Sequence, residues 1–305
     1  MRWVVSTSIA LSLSAGAWAD VPAPANTAAP AVTAPAIARS VASPLAGGAA
    51  DSDLTAAQIV EKNTAARGGL EAWRKIDSMV WSGHIERGSS SSQNIPFVME
   101  LKRPNKTRFE IKAMSQSATR VYDGAHGWKQ SPSAATGVPE VQPYTAEELK
   151  FARDAQGFDG PLLDSEAKGI AVSLAGTEQV EGRKAYRLNV RLPSGTTQHV
   201  WVDAETFLDV KYDRMTRNAA GMTGQVSVMY RDYRTFEGLQ IPVTIETGVG
   251  SAKATDKMVI EKISLNPRLD DRMFAKPRAA GKGRHTISIG EGAPQASQLA
   301  PAPLR

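Results

Sequence analysis

The sequence of 305 residues contains no cysteine, and this absence excludes several classes of protein. Disulfide scaffolds, thiolate metal sites, thiol nucleophiles and lipids attached through cysteine all require a sulfhydryl group. Histidine is also scarce, because the chain has four and none belongs to an H-E-x-x-H motif. A dedicated zinc site is therefore not expected, and the sequence predicts neither a metal nor a cofactor.

Long apolar runs are equally rare, and the one at the N-terminus is too short for a retained transmembrane helix. Arg2 precedes an apolar stretch from Val4 to about Ala15, and Ala17-Trp18-Ala19 places small residues at the two positions that define a signal-peptidase site. We therefore predict a signal peptide over 1–19, a mature chain that begins at Asp20, and a location in the periplasm.

Two further segments have compositions that do not favour a packed core. From 21 to 50, seventeen of thirty residues are alanine or proline, which predicts a disordered linker over 20–50. Residues 279–305 predict a flexible tail, so the folded unit is expected over 51–278. Residues 1–50 and 279–305 together carry three of the five net positive charges. Because no basic stripe with interleaved aromatics is present, nucleic-acid binding is not expected.

Inside the predicted folded unit, the spacing of apolar residues changes from helical to strand-like. Thr55 with Gln58, and Thr145 with Glu148, have the spacing of capping boxes, which predicts helices at the start of the unit and in mid-chain. Elsewhere apolar and polar residues alternate, and turn signals separate roughly ten to twelve strands. Sequential hairpins imply one antiparallel sheet, which must curl. We predict a mainly β protein with some α, an incompletely closed antiparallel barrel with a helical lid or plug.

A curled sheet of this size has room for a ligand on its concave face. Strand alternation predicts that an apolar cavity there is lined by Phe97, Met99, Leu101, Phe109, Ile111, Leu188, Val190, Val210, Tyr212 and Val228. Helices bury the same kind of face as an acyl chain does. A closed core beneath the helices therefore remains the alternative.

Motifs for catalysis are weak, and no enzyme activity is predicted. Ser165-Glu-Ala-Lys168 fits S-x-x-K but lacks the partner motifs that the chemistry needs. His84 and His199 fall on predicted strands and receive no role. The clustered carboxylates are expected to be solvated residues of turns and helix ends; they are Asp154, Asp159, Asp164, Asp203 and Glu205.

Three motifs in order carry a resemblance to a known family. They are Leu101-Lys-Arg103-Pro104-Asn105, then Val121-Tyr-Asp123-Gly124 with Trp128 and Pro132, and finally Leu269-Asp-Asp-Arg-Met-Phe274 with Pro277. Together with the helical insertion between the second and third, they resemble the LolA/LolB-like family of periplasmic outer-membrane lipoprotein carriers. The resemblance covers nearly all of 53–278.

The resemblance implies an unclosed antiparallel barrel with a helical lid over a cavity that takes up the acyl chains of lipoproteins. In the carrier branch the arginine of K-R-P-N hydrogen-bonds the lid, and Arg103 matches that position. On this basis Arg103→Leu is expected to alter ligand loading and transfer with stability nearly intact. The implied partners are lipoprotein acyl chains or another lipid, an inner-membrane transporter, an outer-membrane acceptor and a transiently contacted membrane. The receptor branch is itself a lipoprotein, and the lack of cysteine excludes it.

The leading hypothesis is a soluble periplasmic carrier without catalysis. A lipid-responsive or lipoprotein-responsive regulator that uses the same fold is the alternative, and a periplasmic hydrolase or a purely structural envelope protein is the third possibility. The predicted folded unit is longer than a typical carrier, and the Ala/Pro linker is not a carrier feature. Both differences favour a divergent branch whose cargo is another lipid or a lipid-modified partner, so binding of an acyl-bearing ligand is better supported than lipoprotein sorting in the strict sense.

Overall fold

The computed structural model describes residues 54–87, 94–113, 116–133, 136–155, 157–217, 223–249 and 256–277. The predicted signal peptide, linker and C-terminal tail lie outside these residues. Across the described ranges, no helix combines the length and the apolar character needed to cross a membrane.

The part of the chain that the structure describes contains three α-helices, and both predicted capping boxes are confirmed. Helix α1 (Ala56–Ala66) is capped by Thr55, and helix α3 (Ala146–Asp154) is capped by Thr145. In each helix the threonine side chain accepts a hydrogen bond from the backbone N–H of the third helical residue. The side chain of that third residue accepts in turn from the backbone N–H of the threonine. The short α2 (Leu70–Arg74) follows α1 across two glycines. These reciprocal bonds satisfy N–H groups that a helix start otherwise leaves unpaired.

Among the described residues, thirteen strands follow the first two helices, one more than the upper number predicted from the turn signals. They are β1 (Ser78–Arg87), β2 (Asn94–Lys102), β3 (Lys106–Ala113), β4 (Gln116–Tyr122), β5 (Gly127–Pro132), β6 (Pro139–Pro143), β7 (Ala171–Val180), β8 (Arg183–Arg191), β9 (Thr197–Asp203), β10 (Asp209–Arg217), β11 (Thr223–Phe236), β12 (Leu239–Val249) and β13 (Asp256–Leu265). A single turn of 3-10 helix at Asp271–Phe274 closes the described chain.

The strands form one antiparallel sheet in the order β6-β5-β4-β3-β2-β1-β13-β12-β11-β10-β9-β8-β7. Strands β6 and β7 are its two edges, so the sheet is not closed. Strands β4 and β9 stand eight positions apart, which would separate them by roughly 38 Å in a flat sheet. Arg120 on β4 and Gln198 on β9 nevertheless border one cavity. The sheet is therefore strongly curled, as the predicted fold class requires.

Two hydrophobic clusters fill part of the concave side. The larger lies beneath α2, where Trp73 is 1% exposed and packs with apolar residues of β1–β3 and β11–β13. The second lies beneath α1, where Ile59 packs with Leu188, Val190 and their neighbours on β8 and β9. Burial of these side chains supplies the main stabilisation of the fold. The predicted open antiparallel barrel with helices is thereby confirmed.

Candidate ligand cavity

A cavity of about 260 Å³ lies between the sheet and a roof, defined here as α3 together with the loop 157–163. Its apolar wall is formed by Trp81, Met99, Leu101, Phe109, Val228, Ile241 and Ile245, and Phe151 and Phe158 contribute from the roof. Its polar wall is formed by Arg67, Thr196, Gln198, Asp209, Tyr212, Arg214, Tyr230 and Tyr233. A partly open site lined by both apolar and polar side chains suits an amphiphilic ligand.

Half of the residues predicted to line the cavity border it. These are Met99, Leu101, Phe109, Tyr212 and Val228. Of the others, Phe97 and Ile111 are buried in the larger cluster, away from the cavity. Leu188 and Val190 are 0% exposed and pack in the cluster beneath α1. At these four positions the structure contains a packed core, which the sequence leaves open as the alternative to a ligand cavity.

Val210 lies outside the cavity wall because β10 is irregular at this point. The register against β9 shifts between Asp209 and Lys211, which is the signature of a β-bulge. A bulge inserts one residue and breaks the strict alternation of faces. Asp209 and Tyr212, three residues apart, therefore both border the cavity, whereas Val210 does not.

The N-terminal end of α3 is anchored to β4 and β5 through Glu148. This buried carboxylate lies 2.6 Å from Arg120 Nη2 and 3.1 Å from Lys129 Nζ, and it also accepts from the Thr145 N–H at 2.8 Å. Burial alone would raise the pKa of Glu148, but the Thr145 N–H and the Arg120 charge outweigh burial and lower it. Glu148 is therefore an ionised anchor at neutral pH.

Gly127 allows this end of α3 to approach the sheet. The ring of Tyr144, which precedes the helix, packs directly over Gly127, and a Cβ at that position would lie 2.0 Å from a ring carbon. The Tyr144 N–H also donates to the Gly127 carbonyl at 2.8 Å. A glycine in a strand often marks such a close approach.

The K-R-P-N turn between β2 and β3 contacts the closing segment around Leu269, the C-terminal end of α3 and the segment at the end of α2. Lys102 Nζ donates to the Leu269 carbonyl at 2.9 Å and pairs with Asp271 at 2.8 Å. Asn105 Nδ2 donates to the carbonyls of Ala152 and Arg153, near the C-terminal end of α3, at 3.0 and 3.3 Å. These two residues tie the closing segment and the roof to the same turn.

Arg103 holds α2 and the roof loop together. Its Nε and Nη2 donate to the carbonyls of Ile76 and Trp73 at 2.8 and 3.1 Å, and its Nη1 lies 2.9 Å from Asp159 Oδ2. The guanidinium also covers the ring of Phe158, with 4.9 Å to the centroid. The structure thus places Arg103 on helix-end carbonyls and on the roof, but through α2 and the loop rather than through α3 itself.

The expectation that the acidic residues are solvated is wrong for Asp159 and Asp203. Asp159 is 2% exposed and pairs with both Arg103 and Lys168, and its backbone carbonyl accepts from Arg67. Asp203 is 1% exposed and caps the β9–β10 turn by accepting from the N–H groups of Glu205 and Thr206. Buried carboxylates require such partners. Because some of these partners are distant in the chain, a local sequence pattern cannot identify them.

Asp154 and Asp164 are half-buried and hydrogen-bonded. Asp154, at the end of α3, accepts from the Thr196 hydroxyl at 2.9 Å, and Asp164 accepts from two nitrogens of Arg74. Lys168 of the S-x-x-K match is engaged by Asp159 at 2.8 Å, and burial lowers the pKa of its ammonium. Within the described ranges, no three metal-ligating side chains cluster.

Sequence reasoning found only Tyr212 of the polar wall because it selected mainly apolar residues. Arg67 pairs with Asp209 at 3.6 Å, and Tyr212 stacks on Tyr230 with 5.9 Å between ring centroids. Burial raises the pKa of Tyr230 well above the ordinary tyrosine value. The signal was present in the alternation itself, since Arg214 follows Tyr212, and Tyr230 follows Val228, at the two-residue spacing of one strand face.

Comparisons with solved structures find proteins of similar fold. A LolA superfamily protein from Nitrosomonas europaea matches with 15% identity and a TM-score of 0.47, over 73% of this chain and 98% of that one. A putative outer membrane lipoprotein-sorting protein domain from Vibrio parahaemolyticus matches with 11% identity and a TM-score of 0.47, over 72% and 95%. The chain is similar to LolA superfamily proteins. A DUF1329 family protein from Desulfovibrio piger also matches, with 12% identity and a TM-score of 0.46, over 72% and 97%.

A LolA superfamily protein is therefore among the solved structures that match, at low sequence identity. No protein-family model matches the sequence, and a search of curated proteins finds no match.

Proposed function

We propose that this protein is a non-enzymatic periplasmic carrier that binds the acyl chain of a lipoprotein or another lipid beneath the roof and transfers it towards the outer membrane. The observation that supports this proposal best is the cavity of about 260 Å³, whose lining includes a large set of aromatic and aliphatic side chains from the sheet and the roof. Each methylene buried there contributes about 0.8 kcal/mol, so an acyl chain can be retained without a covalent bond.

The roof provides a route for entry and release. On the β4–β5 side α3 is held by the Glu148 ion pairs. On the opposite side the described contacts are one hydrogen bond, from Thr196 to Asp154, and the stacking of Arg214 on Phe151 at 4.1 Å. The side with fewer contacts is the one that opens at the lower cost in free energy.

Transfer of a fluorescent fatty acid from donor to acceptor vesicles tests the proposal. We expect the protein to accelerate transfer in proportion to its concentration, and organic extracts of natively purified protein to contain acyl lipids. Absence of both results would contradict the proposal. Binding without accelerated transfer would favour the lipid-responsive regulator over the carrier.

A reversible cross-link tests whether the roof must move. Because the chain has no cysteine, the double variant Asp154→Cys/Thr196→Cys reacts at these two positions alone with a short reducible bis-methanethiosulfonate reagent. We expect the bridged protein to lose loading and release, and to recover both on reduction. The two single-cysteine variants, treated identically, serve as controls. Unchanged transfer by the bridged protein would exclude opening on this side.

A further inference from the structure

Arg214 on β10 is a buried cation in the cavity wall with no carboxylate partner among the described residues. It is 8% exposed and borders the cavity, and its Nε, like the Nε atoms of Arg67 and Arg120, is buried without a hydrogen-bond acceptor. Its guanidinium lies over the ring of Phe151 at 4.1 Å, and the Tyr212 hydroxyl is its polar neighbour. The carboxylate of Asp154, which borders the cavity at the end of α3, accepts a hydrogen bond from the Thr196 hydroxyl.

Arg120 on β4 provides a matched comparison. It also borders the cavity, and its guanidinium lies over an aromatic ring, that of Tyr144 just before α3, at 4.9 Å from the centroid. In contrast to Arg214, its charge is neutralised by Glu148 at 2.6 Å. Arg67, the third arginine of the cavity, pairs with Asp209. The roof contacts therefore do not require an unpaired arginine, and the missing anion at Arg214 needs a separate explanation.

An unpaired guanidinium in this position is costly to the fold. Removal of a charge from water carries a penalty that is recovered when an anion pairs with it. Burial lowers the pKa of Arg214 below the ordinary arginine value, and arginine still remains charged at neutral pH. Arginine binds carboxylates and phosphates through two parallel N–H donors. An incoming anionic group would therefore gain more here than at a neutralised arginine.

The apolar wall lies across the cavity from β10. Trp81, Met99 and Phe109 stand on β1–β3, four to six strands away from β10 in the curled sheet, and Val228 on the neighbouring β11 continues the apolar surface towards Arg214. The cavity of about 260 Å³ is near the lower limit of typical ligand pockets, about 300–1,000 Å³, which favours a single chain. We propose that Arg214 binds the carboxylate or phosphate head of a single-chain anionic amphiphile whose tail lies on this wall, an inference that rests on the proposed function.

The test compares two probes that differ only in charge. Dissociation constants of 11-(dansylamino)undecanoic acid and of its methyl ester are measured by fluorescence for the wild type, Arg214→Gln, Arg214→Met and Arg191→Gln. Arg191 is exposed on β8, so its variant controls for the loss of one positive charge. We expect Arg214→Gln and Arg214→Met to weaken binding of the acid by about tenfold or more, with the ester changed by less than about twofold. Thermal melting monitors folding of each variant.

The outcomes separate this inference from the proposed function. Binding of both probes by the wild type, with no change for the acid in either Arg214 variant, overturns the inference and leaves the carrier proposal standing. Binding of neither probe by the wild type overturns both. Displacement of the acid by inorganic phosphate alone, at concentrations comparable to those of dodecyl phosphate, would show a simple anion site and contradict an amphiphilic ligand.

Discussion

The helices cover the concave side of the sheet in two different ways. Under α1 and α2 the space is filled, because Ile59 and Trp73 insert into the two hydrophobic clusters and are 0% and 1% exposed. Under α3 the space is only partly filled, because a small cluster of Tyr122, Tyr144, Leu149 and Ala152 lies beside the cavity. The residues that α3 buries are a small one, Ala152, and a charged one, Glu148.

The difference shows that side-chain size, rather than the curvature of the sheet, decides where a cavity remains. Tight packing of large apolar side chains leaves voids smaller than a water molecule. A helix held at its edges by ion pairs and hydrogen bonds can instead span a void. In α3 those edge contacts come from Arg120, Lys129, Asn105 and Thr196.

The largest effect is expected when the filled region is truncated. Leu188→Ala removes a fully buried side chain beneath α1 and should lower the free energy of unfolding by about 2–5 kcal/mol. Leu149 on α3 is only half-buried, so Leu149→Ala should lower the free energy of unfolding by about 1 kcal/mol or less. Urea unfolding measures both values. Equal losses would show that α3 is packed as tightly as α1.

Enlargement of two valines separates the core from the cavity. Val228 and Val243 lie on adjacent strands and are each 3% exposed, but Val228 borders the cavity and Val243 does not. Val243→Phe should lower the free energy of unfolding by about 1–3 kcal/mol through overpacking. Val228→Phe should lower the free energy of unfolding by less than Val243→Phe does, and it should block uptake of a fluorescent fatty acid. Unchanged uptake by a folded Val228→Phe variant would remove this wall from the binding site.

Arg103→Leu tests the connection between the filled region and the roof. The sequence favours a nearly neutral effect on stability, but the structure gives Arg103 two carbonyl acceptors and a buried carboxylate partner. We therefore expect a loss of about 1–3 kcal/mol together with faster exchange of bound probe. Differential scanning calorimetry and stopped-flow fluorescence measure the two effects. Arg191→Gln is the control, and identical exchange rates in the two variants would contradict a role in holding the roof.

The smallest effect concerns pH. Because the pKa of Glu148 is lowered in the folded protein, its anchor is fully present above the ordinary glutamate pKa of about 4.3 and is lost as pH falls through the lowered value. Below about pH 4, amides of α3 should exchange hydrogen faster, while amides of α1 should not. Glu148→Gln should remove this pH dependence. A pH profile shared by α1 and α3 would show global acid unfolding instead.

Much of the fold could be predicted from local patterns. The capping boxes at Thr55 and Thr145 place two helices because their hydrogen bonds join residues three apart in sequence. Period-two alternation identifies strand faces, and Met99, Leu101 and Phe109 were assigned to the cavity on that basis.

The remaining features depend on contacts between distant residues. The bulge at Val210 changes which side chains face inward, and its position is set by pairing with β9. The burial of Asp159 depends on Arg103 and Lys168, which come from two other segments. Whether Leu188 borders a ligand or a helix depends on where α1 docks, and strand alternation is the same in both cases.

Photo-cross-linking with a diazirine-labelled fatty acid shows directly where an acyl chain binds on the protein. After irradiation and proteolysis, mass spectrometry locates the labelled residues. If the acyl chain binds beneath α3, labels are expected on the cavity wall and on the roof, at Trp81, Met99, Phe109 and Phe151, and they should be lost when unlabelled fatty acid is in excess. Labels confined to the outer face of the sheet, or labels that excess fatty acid does not remove, would contradict a ligand cavity beneath α3.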